Sequence, residues 1–363
     1  MAADRFLLIK SWGCGFWSDV DHVMGQLLAA EIANRIPVVY WGSNSLYSES
    51  FEGNAFELYF EPVSNYTIED LDQPGFTYYP PIWNGKNLTV EDLDKVAWAY
   101  RNLGDMMSSD ANVVVSDVHY FVRPIISYIP KSHWAYGMTA HQIYRCLFDK
   151  YIRLKPDIQE EIQQFYDENM KNHRPLLGVH IRGGDKVKEV EKLSNLNKRY
   201  HRTIKDFIDR YGIRRILLLT DCEDILEDFQ KRYGEMVIFT DCKRGQVYDT
   251  KNAPHLTSYS ERRRKGIEII KDTYLGSMCD FFIGNGYSNV SYTVKRLRDW
   301  PESNIVLFYR DSKHERKLAK KRQKKDLIKR KTDKIRHRAE YPELYGGVNT
   351  YADEPLFANK IFG

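Results

Sequence analysis

"GVHIRGGDKVKEVE", residues 178–191, opens on the end of an apolar run and then changes character. The run is "LLGVHI" at 176–181. After it come Arg182, Gly183, Gly184, Asp185 and Lys186, and then Glu189 and Glu191. Six mostly apolar residues stopped by a Gly-Gly turn predict a buried strand. A guanidinium, an ammonium and three carboxylates straight after it are not core residues. In doubly wound α/β sheets, ligands bind outside the carboxyl ends of the strands. The stretch therefore predicts a parallel sheet and marks its binding edge.

The rest of the second half fits that sheet. "NKRYHRTIKDFIDRYG" reads as a helix ending at Gly212, "RRILLLTD" (214–221) as a strand and "EDILEDFQKRYG" as a helix. "MVIFTD" (236–241) is the next expected strand. Residues 260–278 follow with Ile267, Ile270, Tyr274 and Met278 on one helical stripe. "DFFIG", the turn "NGYSN", the helix "VSYTVKRLRDW" and the strand "SNIVLFY" (303–309) close the set. Five strands alternating with helices predict a doubly wound domain.

The first half carries a second such unit. "RFLLIK" (5–10) is a strand and "SWGCGFWS" a Gly-containing turn. Next comes a helix with Val20, Val23, Leu27, Leu28, Ala30 and Ile32 at helical spacing, with Asp19 placed to cap it. "IPVVYWG" (36–42) and "NVVVSD" (112–117) are further strands, whereas 43–110 resists assignment. Two helices over 139–170, broken at Lys155-Pro156, lead into the second unit. The 363 residues exceed one ordinary core, which favours two domains. The expected division is 1–170, 171–310 and a tail at 311–363.

Charge is unevenly spread. Residues 313–338 hold 14 Lys/Arg against 3 Asp/Glu, a net +11; the whole chain carries +4, which leaves −7 elsewhere. An acidic body with a basic appendage argues against nucleic acid as the main partner. The basic run has few aromatics to stack bases. A solvated linker helix is the plain expectation for it, and peripheral attachment to an anionic membrane surface is the functional one. Five scattered cysteines without C-x-x-C spacing suggest neither a disulfide framework nor zinc. No apolar run reaches the roughly 20 residues of a membrane span, and the N-terminus makes a poor signal peptide. A cytoplasmic location is the expectation.

The residues gathered at strand ends suggest an anion site. Arg182 offers a planar fork of donors to phosphate. Gly183 and Gly184 permit close backbone approach. Asp221, Glu223 and Asp224 follow one strand, and Asp241 and Lys243 the next. Asn285, Gly286, Tyr287, Ser288 and Asn289 follow the fourth. Ser288 begins a helix, whose free N–H groups attract anions. Together these form a diphosphate cradle without a metal. Each has a plainer reading, with Arg182 in a structural ion pair and Ser288 as an ordinary N-cap. The "GCG" turn at 13–15 lacks G-x-G-x-x-G spacing and is not a Walker motif. "DVD" (19–21) mimics a metal-binding D-x-D, but Asp19 is better placed as a cap. His22, one turn inside that helix, faces either an interdomain cleft or the core.

The segments "GVHIRGGDKVKEVE", "LTDCEDILEDF" and "IIKDTYLGSMCDFFIGNGYSNVS" resemble the donor domain of the fucosyltransferase superfamily that uses GDP-fucose. They are most similar to the α-1,6-fucosyltransferases of N-glycan core and nodulation-factor synthesis. "GCGFWSDVDHV" resembles that family's early Gly-Cys-Gly turn and the helix after it. The resemblance covers most of 11–300, in patches of the right order. It implies a GT-B-like fold of two Rossmann-type domains around a cleft, here with a basic helical tail. It also implies inverting, metal-independent transfer of fucose from GDP-fucose to a glycan hydroxyl, with no cofactor. Arg182 would hold the β-phosphate, His180 the nucleoside side, Asp272 the guanine amino group and Ser288 phosphate. Asp185 and Lys186 would organise the loop, with Lys186 counted in the catalytic group. The nucleotide-sugar set further takes in Gly13, Cys14, Gly15, His22, Gly183, Gly184, Asp221, Tyr287 and Asn289.

This chain departs from that pattern in places. Gly183 stands where the family often has a second arginine. The spacing to the base glutamate differs by one residue, so Glu189 and Glu191 compete; Glu189, nearer the donor turn, is preferred. No membrane anchor, coiled-coil stem or SH3-like segment is recognisable. Two other readings are a transferase of another nucleotide sugar and a non-catalytic nucleotide-sugar or glycan-binding protein on the same fold. The acidic pair after Lys186 favours the enzyme, since binding alone needs no base.

Overall fold

The computed structural model describes residues 4–50, 53–91, 103–116, 120–183, 199–245 and 259–309. It is an α/β fold with two sheets, both parallel throughout. The first contains β1 (Phe6–Lys10), β2 (Ile36–Tyr40), β3 (Tyr78–Tyr79) and β4 (Val113–Val115), in the order β2-β1-β4-β3. The second contains β5 (Leu176–Ile181), β6 (Arg215–Thr220), β7 (Val237–Ile238), β8 (Phe281–Asn285) and β9 (Ile305–Phe308), in the order β7-β6-β5-β8-β9. The chain reverses its direction of growth at β5, so β5 and β8 flank a topological switch point.

Around the first sheet lie α1 (Phe16–Ile32), α2 (Leu103–Ser108) and α3 (Val122–Ile125). α4 (Ala140–Tyr151) and α5 (Pro156–Asn169) follow. α4 starts on a capping box between Thr139 and Gln142, and α5 carries Pro156 at its first position, where no N–H is missed. The second sheet is served by α6 (Tyr200–Tyr211), α7 (Glu223–Tyr233), α8 (Tyr259–Met278) and α9 (Asn289–Arg296). Gly212 ends α6 at φ 63°, the left-handed conformation that glycine adopts without a Cβ clash.

Side-chain alternation along β5 sorts the packing. Leu177, Val179 and Ile181 join Ile204 and Phe207 of α6 and Leu226 and Phe229 of α7 in one cluster. Leu176 faces the other way, into a larger cluster with Leu217, Leu219, Ile270 and Phe282. That cluster continues into Leu7, Ile9, Val39 and most of α1, so the two sheets share one hydrophobic core. α1 is buried along nearly its whole length because both sheets' layers press on it. Trp17 donates from Nε1 to Thr273 Oγ1 of α8 at 2.8 Å, and Arg296 of α9 reaches Asp21 at 3.0 Å.

Three expectations change. α1 begins at Phe16 with Gly15 as N-cap, so Asp19 is not the cap. Its buried carboxylate instead accepts from the Cys14 N–H at 3.3 Å, bracing the turn in front of the helix. The strand expected over 236–241 is only Val237–Ile238. Beyond it the chain leaves the sheet edge and folds back over β6, where Gly245 N–H donates to Asp221 O at 2.9 Å and Glu223 N–H to Gly245 O at 2.8 Å. The unassigned stretch 43–110 supplies β3, α2 and two short 3-10 turns, Ala55–Leu58 and Glu69–Leu71. Gly184, Asp185, Lys186, Glu189, Glu191 and the basic run 313–338 lie outside the described residues.

Candidate functional site

A cavity of about 520 Å³ lies at the carboxyl ends of β5 and β6, and the turn between β1 and α1 closes its far wall. Gly13, Cys14, Gly15 and Ser18 come from that turn, with Leu46 and Tyr47 beside them. Gly13 has φ 65°, so the turn needs glycine there. Tyr47 is fixed by two hydrogen bonds: its hydroxyl accepts the Phe16 N–H at 2.9 Å, and its carbonyl accepts the Tyr59 hydroxyl at 2.7 Å. The opposite wall holds His180 and Arg182 of the β5 end, Thr220 and Asp221 of the β6 end, and Cys242 and Lys243 of the folded-back segment. Lys265, Glu268 and Asp272 line it from α8, and Asn289 and Val290 from the start of α9.

Arg182 and Asp221 meet across neighbouring strands, Nη1 to Oδ2 at 3.0 Å. The other Asp221 oxygen accepts the Gly183 N–H at 3.0 Å. One carboxylate thus orients both the guanidinium and the backbone that carries it. Gly183 makes room here for protein rather than ligand, since a Cβ on it would stand 2.4 Å from Cys222 Sγ. His180 is buried, with Nδ1 2.7 Å from Ser291 Oγ. Burial, helped by the Arg182 charge, pushes its pKa down to about 4, which makes it a neutral imidazole near pH 7.

Asp272 and Glu268 carry the other strong electrostatics. Burial raises the Asp272 carboxyl to about 6, against a 2.5 Å hydrogen bond from Thr240 Oγ1 that favours the ionised form. Glu268 is raised by the same cause, partly offset by the Lys243 N–H at 3.3 Å. The Cys242 thiol is pushed up to about 12 by burial, so it stays protonated and unreactive. Among the described residues no three His, Cys, Asp or Glu side chains converge as a metal site.

The cavity brings together Gly13, Cys14, Gly15, His180, Arg182, Asp221, Asp272 and Asn289 of the expected set. Four others stand outside its wall. His22 is fully buried, its Nε2 accepting from Trp12 Nε1 at 3.0 Å and lying 3.1 Å from Ser116 Oγ; its helix turns it into the core of the first sheet. Gly183 lies beneath Arg182, against Cys222. Ser288 is the N-cap of α9, but its hydroxyl makes no capping bond and it is buried behind Asn289 and Val290. Tyr287 closes an Asx turn on Asn285 Oδ1 at 2.8 Å and packs edge-on to Tyr309. Ser18, Tyr47, Lys265 and Glu268 were not anticipated as site residues. For the last two a signal existed: Lys265, Glu268 and Asp272 repeat at 3 and 4 residues, a polar stripe running beside the apolar one on the same helix.

A family model described as the N- and catalytic domains of α-(1,6)-fucosyltransferase matches residues 140–297. An α-(1,6)-fucosyltransferase of Drosophila melanogaster is 24% identical over 280 residues, 75% of this chain and 40% of the relative. The chain thus spans well under half the length of that curated relative. Crystal structures of the fucosyltransferase NodZ from Bradyrhizobium share the fold, at TM-score 0.57 and 19% identity over 85% of this chain and 96% of theirs. A NodZ α-1,6-fucosyltransferase crystal soaked with GDP-fucose superposes at TM-score 0.54 and 19% identity, covering 84% of this chain and 95% of that one. Over residues 140–297 the chain is thus similar to the catalytic part of α-(1,6)-fucosyltransferases, and it shares the fold of the NodZ fucosyltransferases.

Proposed function

We propose that this protein is a glycosyltransferase that moves fucose from GDP-fucose to a hydroxyl of a glycan, with inversion and without a metal ion. One observation carries the reading. Arg182, fixed by Asp221, stands at the β5–β6 carboxyl edge inside a cavity sized for a small-molecule ligand. Its fork suits the diphosphate, and the first-turn N–H groups of α9 beside Asn289 and Val290 add positive potential to the same wall. Asp272 would accept from the base at the other end of the cavity, and neutral His180 would support the nucleoside side. The Gly13–Gly15 turn would close over the donor.

In an inverting transfer the acceptor hydroxyl attacks the anomeric carbon from the face opposite the leaving diphosphate, and its proton passes to a base on that face. The base is assigned to Glu189, with Glu191 as the competing residue and Lys186 beside them. With both phosphates neutralised by Arg182 and helix N–H groups, the leaving group needs no divalent cation. The two sheets would act as acceptor-side and donor-side units, 1–170 and 171–310. No helix among the described residues is long and apolar enough to cross a membrane. Attachment to an anionic membrane surface is kept as the functional reading of 313–338.

Arg182→Ala tests the assignment. A charged hydrogen bond to phosphate is worth about 1.5–3 kcal/mol, so GDP affinity should fall on the order of 10–100-fold. Arg182→Lys should recover only part of it, because lysine lacks the planar fork. Unchanged GDP affinity in a folded Arg182→Ala protein would remove the central observation.

A further inference from the structure

α8 places Glu268 four residues before Asp272, on the same face of the helix, and both residues line the cavity. Each carboxylate has one oxygen committed to protein. Glu268 Oε2 accepts the Lys243 N–H at 3.3 Å, and Asp272 Oδ1 accepts the Thr240 hydroxyl at 2.5 Å. The remaining contact of Glu268 is distant: its Oε1 lies 3.8 Å from Arg264 Nε, with the carboxylate side chain only 15% exposed. The Arg244 guanidinium, held on the Thr240 carbonyl, offsets part of the like charge of the two carboxylates, and a ligand that donates hydrogen bonds to both would offset their desolvation further.

Resting on the reading of this cavity as a GDP-sugar site, we propose that Glu268 is a specificity-determining residue that accepts the second N–H of the guanine 2-amino group, with Asp272 accepting the first. The geometry of an amino group fits. Its two N–H bonds diverge by roughly 120°, so acceptors at about 2.9 Å from the nitrogen stand about 5 Å apart. One helical turn separates Glu268 from Asp272 by about 6 Å along the axis, within reach of two flexible side chains. Other bases do not meet this pair well. Hypoxanthine lacks the amino group, and uracil presents carbonyl oxygens on both sides of its single N–H. Either leaves a desolvated carboxylate facing no donor, which is how a polar site rejects a near-analogue.

The competing role for Glu268 is purely structural, holding the Lys243 backbone through its N–H bond. Calorimetric titration of GDP and inosine diphosphate against wild type, Glu268→Gln and Glu268→Ala separates the two. The proposal predicts that wild type prefers GDP, and that both variants lose on the order of 10–100-fold in GDP affinity while inosine diphosphate affinity stays within about twofold. Glu268→Gln, nearly isosteric and still able to accept from Lys243, protects the test against a misfolded alanine variant. Equal weakening of both nucleotides, or no weakening of either, overturns the proposal and leaves the GDP-sugar reading in place. Failure of wild type to bind GDP at all overturns both.

Discussion

Asp272 is the group on which pH should act most directly. Its folded pKa, about 6, lies above that of an unfolded aspartate. Between those values the folded state binds more protons than the unfolded one, so this group's contribution to stability falls as pH rises through the window. Asp272→Asn should therefore raise the melting temperature at pH 7 while weakening GDP. In wild type, GDP affinity should decline as pH drops below 6, since the protonated carboxyl accepts N–H bonds more weakly and turns one of its oxygens into a donor. Calorimetry between pH 5 and 8 checks this; a flat profile would separate Asp272 from the base. The catalytic base is testable in the same way. A positioned base contributes about 10²–10⁴-fold, so Glu189→Gln should lose turnover on that scale with GDP affinity retained. If Glu191→Gln alone collapses, the base is two residues further on.

At this scale the sequence was readable where chemistry interrupts an apolar strand. Arg182 and Asp221 stand out because strands end at Ile181 and Thr220. Glu268 did not, since a charged residue on a 20-residue helix looks solvated until the partner packed against that face is known. His22 was open in the sequence between the cleft and the core, and the structure places it in the core. It sits beside the Gly-Cys-Gly turn in sequence, yet the helix rotates it away from the cavity and onto Trp12 and Ser116.

Among elements, α1 and α9 bear most on the site, because each ends at one of its walls. They are clamped by a small polar network. Arg296 of α9 binds Asp21 of α1 at 3.0 Å and lies 3.6 Å over the Tyr144 ring of α4, while the Tyr144 hydroxyl donates to Asp21. Arg296 and Asp21 are only 18% and 15% exposed, so removing one partner strands the other. Asp21→Asn should cost on the order of 3 kcal/mol, read by denaturant unfolding. The Asp21→Asn, Arg296→Met double variant should cost less than the sum of the singles. Strict additivity would mean that the pair does not couple the helices. Helix limits were legible where caps are chemical, at Pro156 and Gly212. The start of α1 was not, because Gly15 caps without a side chain and Asp19 offered a more obvious but wrong signal.

For the whole molecule, the parallel α/β architecture followed from alternating strand and helix periods, and the second sheet was read nearly strand for strand. The shared core was not. Leu7 and Ile9 read as interior to their own sheet, and nothing local announces that α1 carries them into one cluster with Leu217, Leu219 and Phe282. Such long-range packing has no periodic signature. Nor did the 43–110 stretch, whose two-residue β3 is too short to show alternation. The central claim is a GDP-fucose-dependent transfer, and it is tested by incubating the protein in EDTA with GDP-fucose, GDP-mannose or a UDP-sugar and a panel of glycan acceptors, following nucleotide release and the anomeric configuration of the product by NMR. The account predicts turnover with GDP-fucose in EDTA and a product of inverted configuration. Turnover of a UDP-sugar in preference, a retained configuration, or activity that returns only on adding a divalent metal would contradict it.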